Sequence, residues 1–143
     1  QHFNFFASFS QIINNVKKGE NYITGCSNHM EQVFVNLIGN ACDAMAGRPV
    51  RRLTLSLESA KLDKVDCWKC DVTDTGSGIP PEIMDEIFQS FFTTKPKGKG
   101  TGLGLSISRG IVRDHKGDIV VSSQVEKGTT FSVFLPKADL ETA

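Results

Sequence analysis

The sequence predicts an α+β fold, and three observations carry that expectation. Stretches with apolar residues at helical spacing are interspersed with stretches that alternate apolar and polar. The last two strand-like runs, residues 119–123 and 129–135, flank Glu126-Lys127-Gly128 and read as a hairpin, which is antiparallel by construction. The chain has 143 residues, 39% hydrophobic and 22% charged, which suits one domain around one core.

The elements follow in order. Residues 3–18 hold Phe5, Phe9, Ile12, Ile13 and Val16 near helical spacing, with Lys17-Lys18-Gly19 as a stop, and predict a helix. Residues 22–26 read as a short strand. Residues 29–46 predict the main helix, with Ser27 or Asn28 as its cap and Glu31 in its first turn. Val33, Leu37, Ala41 and Ala44 form one apolar row, and Phe34, Ile38 and Met45 another. Between them runs a polar stripe, Asn36, Asn40 and Asp43, and a polar stripe on so apolar a helix needs partners. Leu53, Leu55 and Leu57 alternate with Thr54, Ser56 and Glu58 in a half-buried strand. Residues 61–64 are a polar turn. Residues 65–73 form the next strand, with Trp68, Cys70, Val72 and Asp74 on one face. Pro80-Pro81 opens a short helix over 82–88. Residues 103–115 predict the last helix. Residues 137–143 read as a frayed tail.

Bulk properties exclude several classes. Lys+Arg and Asp+Glu are both 16, so net charge offers nothing to nucleic acid or an anionic membrane. No apolar run approaches the ~20 residues that span a bilayer, and no leader pattern follows Gln1. The chain is expected to be a piece of a longer one, with its domain in the cytoplasm. Cys67-Trp68-Lys69-Cys70 spells a CxxC. Positions three apart on a strand point to opposite faces, so the pair is poorly placed to share a metal. With Cys26 and Cys42 they read as reduced, partly buried thiols.

Two segments carry chemistry. Asp74-Thr75-Gly76-Ser77-Gly78-Ile79-Pro80 places a carboxylate at the end of an apolar face, where an unpaired charge is costly. It needs a donor, and the exocyclic amine of a purine is one candidate. The two glycines let backbone approach a flat ligand. Four glycines then alternate from Gly98 to Gly104 among lysines and feed the start of the last helix. Backbone N–H groups and the helix dipole there suit phosphate. Asparagine carboxamides on the main helix could face a hydrated Mg²⁺, offering oxygen without added charge.

An Asn-striped helix, a strand ending in Asp-x-Gly-x-Gly-Ile-Pro and a Gly-x-Gly loop opening a helix occur here in one order. Together they resemble the catalytic ATP-binding domain of sensor histidine kinases, in the superfamily shared with gyrase, the Hsp90 chaperone and MutL. The resemblance covers residues 31–136. Residues 31–41 are similar to its N box, 74–79 to its G1 box, 87–92 to its F box and 100–105 to its G2 box. Gly128-Thr129-Thr130-Phe131 is similar to its last strand. The resemblance implies the Bergerat fold, a two-layer α/β sandwich whose mixed, mostly antiparallel sheet carries helices on one face.

It also implies ATP and Mg²⁺ as cofactors. Asn40 would ligate Mg²⁺, and Asn36 would lie by the phosphates. Asp74 would bind the adenine amine, Gly78 would line the adenine pocket, and Thr130 would hold water beside Asp74. Gly102, Leu103 and Gly104 would offer N–H groups to the triphosphate. Gly76, Ile79, Phe92, Gly100, Thr101 and Leu105 fall in the same boxes, and Lys95 would reach the phosphates from a closed lid. Asp43 stands where many relatives carry Lys or Arg, which leaves its role open. The hydrolysing relatives have Glu four residues before the metal Asn; here that position is Asn36. A carboxamide cannot take a proton from water near neutral pH, so self-contained hydrolysis is expected to be poor. The nucleophile would be a histidine on a separate dimerising hairpin. His2, His29 and His115 lack that hairpin's motif and read as structural or surface residues. The implied partners are that hairpin and a response regulator, with no nucleic acid or membrane contact, and the isolated domain as a monomer. The alternatives are a nucleotide-binding regulatory module, or a superfamily ATPase without histidine phosphotransfer.

Overall fold

The computed structural model describes residues 11–15, 27–94 and 104–137. Five strands form one sheet in the order β1-β2-β3-β5-β4. They are β1 (Gln11–Asn15), β2 (Arg52–Leu62), β3 (Val65–Asp74), β4 (Asp118–Gln124) and β5 (Gly128–Pro136). β1 runs parallel to β2, and every other pairing is antiparallel. Helices α1 (Ser27–Met45) and α2 (Gly104–Asp114) pack against each other and against β3, β4 and β5. This is the expected two-layer sandwich with a mixed, mostly antiparallel sheet.

The helix α1 forms because its apolar residues recur every four positions. Val33, Leu37, Ala41 and Met45 are all at most 2% exposed, a single stripe turned to the sheet. Val72, Phe131, Val133 and Leu135 meet it from β3 and β5, joined by Val112 and Ile119. Burying each large aliphatic chain contributes about 1.5–3 kcal/mol. The β2–β3 hairpin closes through Asp63 and Lys64, both at positive φ (48° and 70°), the turn whose twist matches paired strands.

Four expectations need correction. The helix expected over 3–18 is a strand at Gln11–Asn15, paired in register with Arg52 to Ser56; the rest of it, and the strand expected at 22–26, lie outside the described residues. A five-residue run with two adjacent isoleucines satisfies either period, and pairing with β2 decided it. Because α1 begins at Ser27, Glu31 falls in the second turn, not the first. The helix expected over 82–88 is a 3₁₀ turn at Pro81–Ile83 followed by further turns. So short a run does not sustain an α-helical ladder, and its N–H groups bond three residues back instead, Met84 to Pro81, Glu86 to Ile83 and Gln89 to Glu86. Lys137 is not frayed: its N–H donates to the Asp66 carbonyl at 3.0 Å. Its Nζ lies 4.3 Å from the Trp68 ring centroid and donates to Ser59 Oγ at 2.8 Å.

Candidate functional site: a carboxylate turn at the end of the central strand

Asp74 ends β3, hydrogen-bonded to β2 on one side and β5 on the other, opposite Leu53 and Thr129. Strand alternation puts it on the helix-facing side with Val72, and it is 4% exposed. Its Oδ1 accepts from the Gly76 N–H at 2.8 Å. Burial pushes its carboxyl above the ordinary carboxylate range. N–H groups of Gly76 and Thr129 and the Arg48 charge pull it part of the way back.

The turn after Asp74 is pressed onto the last turn of α1. A Cβ on Gly76 would lie 2.6 Å from the Ala44 carbonyl oxygen, and the Ser77 N–H donates to that same oxygen at 3.1 Å. Gly78 has φ +77, and a Cβ there would collide with the Gln124 carbonyl. Both glycines are therefore required by the contact, not merely tolerated. The Ile79 N–H donates to Ser123 Oγ at 2.8 Å, and Ser123 Oγ bonds the Gly128 carbonyl at 3.0 Å and Thr129 Oγ1 at 2.8 Å. One hydroxyl thus joins the turn to both strands of the β4–β5 hairpin, donating to the carbonyl and accepting from its other partners.

Asn40 stands one helical turn before Ala44, and Asn36 one turn before Asn40. The rise along an α-helix sets the three about 6 Å apart, so the carboxamide row starts where the carboxylate turn rests. Both asparagines are half-buried, whereas Asp43 is exposed. The Asn36 amide donates to the Gly104 carbonyl at 3.3 Å and to Ser108 Oγ at 3.2 Å. Ser108 is fully buried, so Asn36 bonds α1 to the first turn of α2.

Ile79, Phe92 and Leu105 are half-buried and pack against the hydrophobic core. Phe88 meets Phe131 edge-on at 6.3 Å, and Arg109 Cζ sits 4.4 Å over the Phe88 ring while its Nε bonds Asp118 Oδ1 at 3.1 Å. Lys95, Gly100, Thr101, Gly102 and Leu103 lie outside the described residues; the helix expected over 103–115 is α2, Gly104–Asp114. The placement of Thr130 beside Asp74 is corrected. Thr130 Oγ1 bonds Thr73 Oγ1 at 2.9 Å, and its register partner is Thr73. Thr73 lies on the face opposite Asp74, because side chains alternate. Thr129, 5% exposed, holds that place. The sequence carried the signal: Phe131, Val133 and Leu135 face the core, so parity puts Thr129, not Thr130, with them.

Arg48 was not singled out by the sequence. Its Nε donates to the Thr75 carbonyl at 3.2 Å, and its Nη groups bond the carboxylate and carbonyl of Glu126, both at 3.1 Å. Glu126 is 78 positions away in sequence, so nothing local marked it. Of the histidines, His29 is exposed on α1 and His115 Nδ1 lies 2.8 Å from the Ile111 carbonyl; His2 lies outside the described residues. Cys42 and Cys67 are buried and Cys70 is half-buried, and burial first, then Asp71, pushes the Cys70 thiol up to about 11. Cys26 lies outside the described residues. Among the described residues no helix is long and apolar enough to cross a membrane.

Comparison with known proteins agrees with this fold. The chain is 47% identical over 116 residues to the sensor kinase CckA of Brucella abortus, covering 75% of this chain and 12% of that protein. It is 42% identical over 110 residues to the sensor protein FixL of Bradyrhizobium diazoefficiens, covering 77% of this chain and 21% of FixL. The chain therefore spans well under a third of these relatives. Among solved structures, the catalytic domain of histidine kinase ThkA superposes with a TM-score of 0.73 at 29% identity, over 91% of this chain and 80% of that one. Full-length ShkA in complex with AMPPNP gives 0.72 at 25% identity, over 90% of this chain and 26% of ShkA. Residues 25–139 match the family described as histidine kinase-, DNA gyrase B- and HSP90-like ATPase, and the chain belongs to that family as an ATP-binding domain of the histidine kinase kind.

Proposed function

We propose that this domain holds Mg-ATP and presents the γ-phosphate to a histidine on a separate dimerisation hairpin of a two-component sensor kinase. One observation carries the reading. The buried Asp74 carboxylate is held in a glycine turn that rests on the same helix from which Asn40 and Asn36 project. The sensor-kinase relatives and the AMPPNP complex of ShkA support it.

Asp74 accepts a hydrogen bond from the adenine amine, and Gly78 and Ile79 border the base. Thr129 takes the role first expected of Thr130, orienting water beside the carboxylate. The polyphosphate runs along α1 toward Asn40 and Asn36 and ends at the N-terminus of α2, where N–H groups and the dipole favour anions. Gly104 opens that helix, with Gly102 and Leu103 just before it. Asn36 fixes where that helix begins. Asn40 suits Mg²⁺: a neutral amide oxygen complements an ion that keeps waters and draws its other ligands from phosphate. Bound there, Mg²⁺ would neutralise charge on the phosphate oxygens. Lys95 adds a cation to the phosphates, and Phe92 with residues 100–105 encloses them. With Asn36 where a general base would stand, the chain positions ATP and does not itself activate water. Its partners are then the histidine-bearing hairpin and, downstream, a response regulator.

ATP affinity measured with and without Mg²⁺, followed by transfer to a supplied hairpin, tests this. Asn40→Ala is expected to abolish the Mg²⁺-dependent part of binding and the transfer. Undiminished transfer by that variant overturns the reading.

A further inference from the structure

The Thr75–Gly76 peptide is gripped at both ends. Arg48 Nε donates to its carbonyl at 3.2 Å, and its N–H donates to Asp74 Oδ1 at 2.8 Å. A peptide unit is planar and rigid, so fixing the carbonyl fixes the direction of the N–H, and the N–H fixes the rotation of the carboxylate. The far side of the guanidinium is anchored on the β4–β5 hairpin by two bonds to Glu126, each 3.1 Å. The same hairpin residue bonds the turn again, through the Glu126 N–H and the Ser77 carbonyl at 2.7 Å.

We propose that Arg48 is a positioning residue for base selection, clamping the Thr75–Gly76 peptide so that Asp74 meets the exocyclic amine of adenine in one orientation. The inference rests on the reading that Asp74 binds adenine. Arg48 touches no nucleotide; it acts through the peptide. A planar guanidinium reaches three acceptors in fixed directions, which the point charge of a lysine cannot do. Loss of the clamp lets the carboxylate turn away, and the preference for the amine goes with it.

The test compares ATP with purine riboside triphosphate, which lacks only the amine, by calorimetric titration of wild type, Arg48→Met and Arg48→Lys, with thermal unfolding followed alongside. The wild type is expected to prefer ATP by about tenfold or more, the scale of a hydrogen bond to a charged group. Both variants are expected to bring that ratio to within about threefold, with affinity for the amine-free analogue unchanged. A purely structural role for Arg48 would weaken both ligands together and leave the ratio intact, which overturns the inference. Full retention of the ratio by Arg48→Lys overturns it as well, since charge alone would then suffice. Should Arg48→Met fail to fold, Arg48→Lys decides, because it keeps the aliphatic stem. A wild type that binds both nucleotides equally removes the adenine reading itself.

Discussion

Replacing Asp74 with Asn separates binding from stability. The two side chains have the same shape, so the acceptor for the Gly76 N–H at 2.8 Å is retained. What changes is the charge and the second terminal atom, which becomes an NH₂ donor where the proposed complex puts the donor amine of adenine. The lost interaction is a hydrogen bond to a charged group, worth about 1.5–3 kcal/mol, or about a 10- to 150-fold weaker Kd for ATP. Stability moves the other way. The carboxyl is 4% exposed and its pKa is raised above 3.8 by burial. The folded state therefore binds the proton more tightly than the unfolded state, and stability declines as pH rises through that interval. At pH 8 the ionised carboxylate opposes folding, and Asp74→Asn relieves it. Calorimetric titration with Mg-ATP and thermal unfolding at pH 8 should show weak binding with Tm unchanged or higher. ATP affinity within twofold of wild type, or a large fall in Tm, would refute the reasoning.

Three further outcomes follow. Gly76→Ala drives a Cβ to 2.6 Å from the Ala44 carbonyl oxygen; it should cost about 1–3 kcal/mol in denaturant unfolding and weaken ATP binding as the turn lifts off α1. Leu37→Ala empties a site that is 1% exposed and should destabilise by about 2–5 kcal/mol. For Asp118, burial raises the carboxyl pKa, but the Arg109 hydrogen bond and the Arg109 and Arg113 charges outweigh it, leaving it below 3.8. Its contribution is present above the ordinary carboxylate pKa and is lost as pH falls through the lowered value. Asp118→Asn should therefore flatten the acid limb of a Tm profile taken from pH 6 to pH 2.5.

Much of the site was legible because it is written in short contiguous runs. The Asp74 turn, the asparagine stripe and the start of α2 each depend on neighbours within a few residues. Thr130 was misplaced for want of parity, not for want of signal. The contacts of Arg48 with Glu126 and of Asn36 with Ser108, 78 and 72 positions apart, exist only once the hairpin and α2 are folded back onto α1. In the fold, the strands with flanking turn residues were visible, whereas Gln11–Asn15 takes its identity from a partner strand some forty residues away.

The seat of Asp74 on β3 carries one more consequence. That strand is laddered on both flanks, so exposing its amides to solvent requires two neighbours to separate together. Hydrogen exchange along its middle should therefore be among the slowest in the domain. The carboxylate proposed to recognise the base is thus built into a doubly paired strand, where it should persist through fluctuations that loosen the periphery.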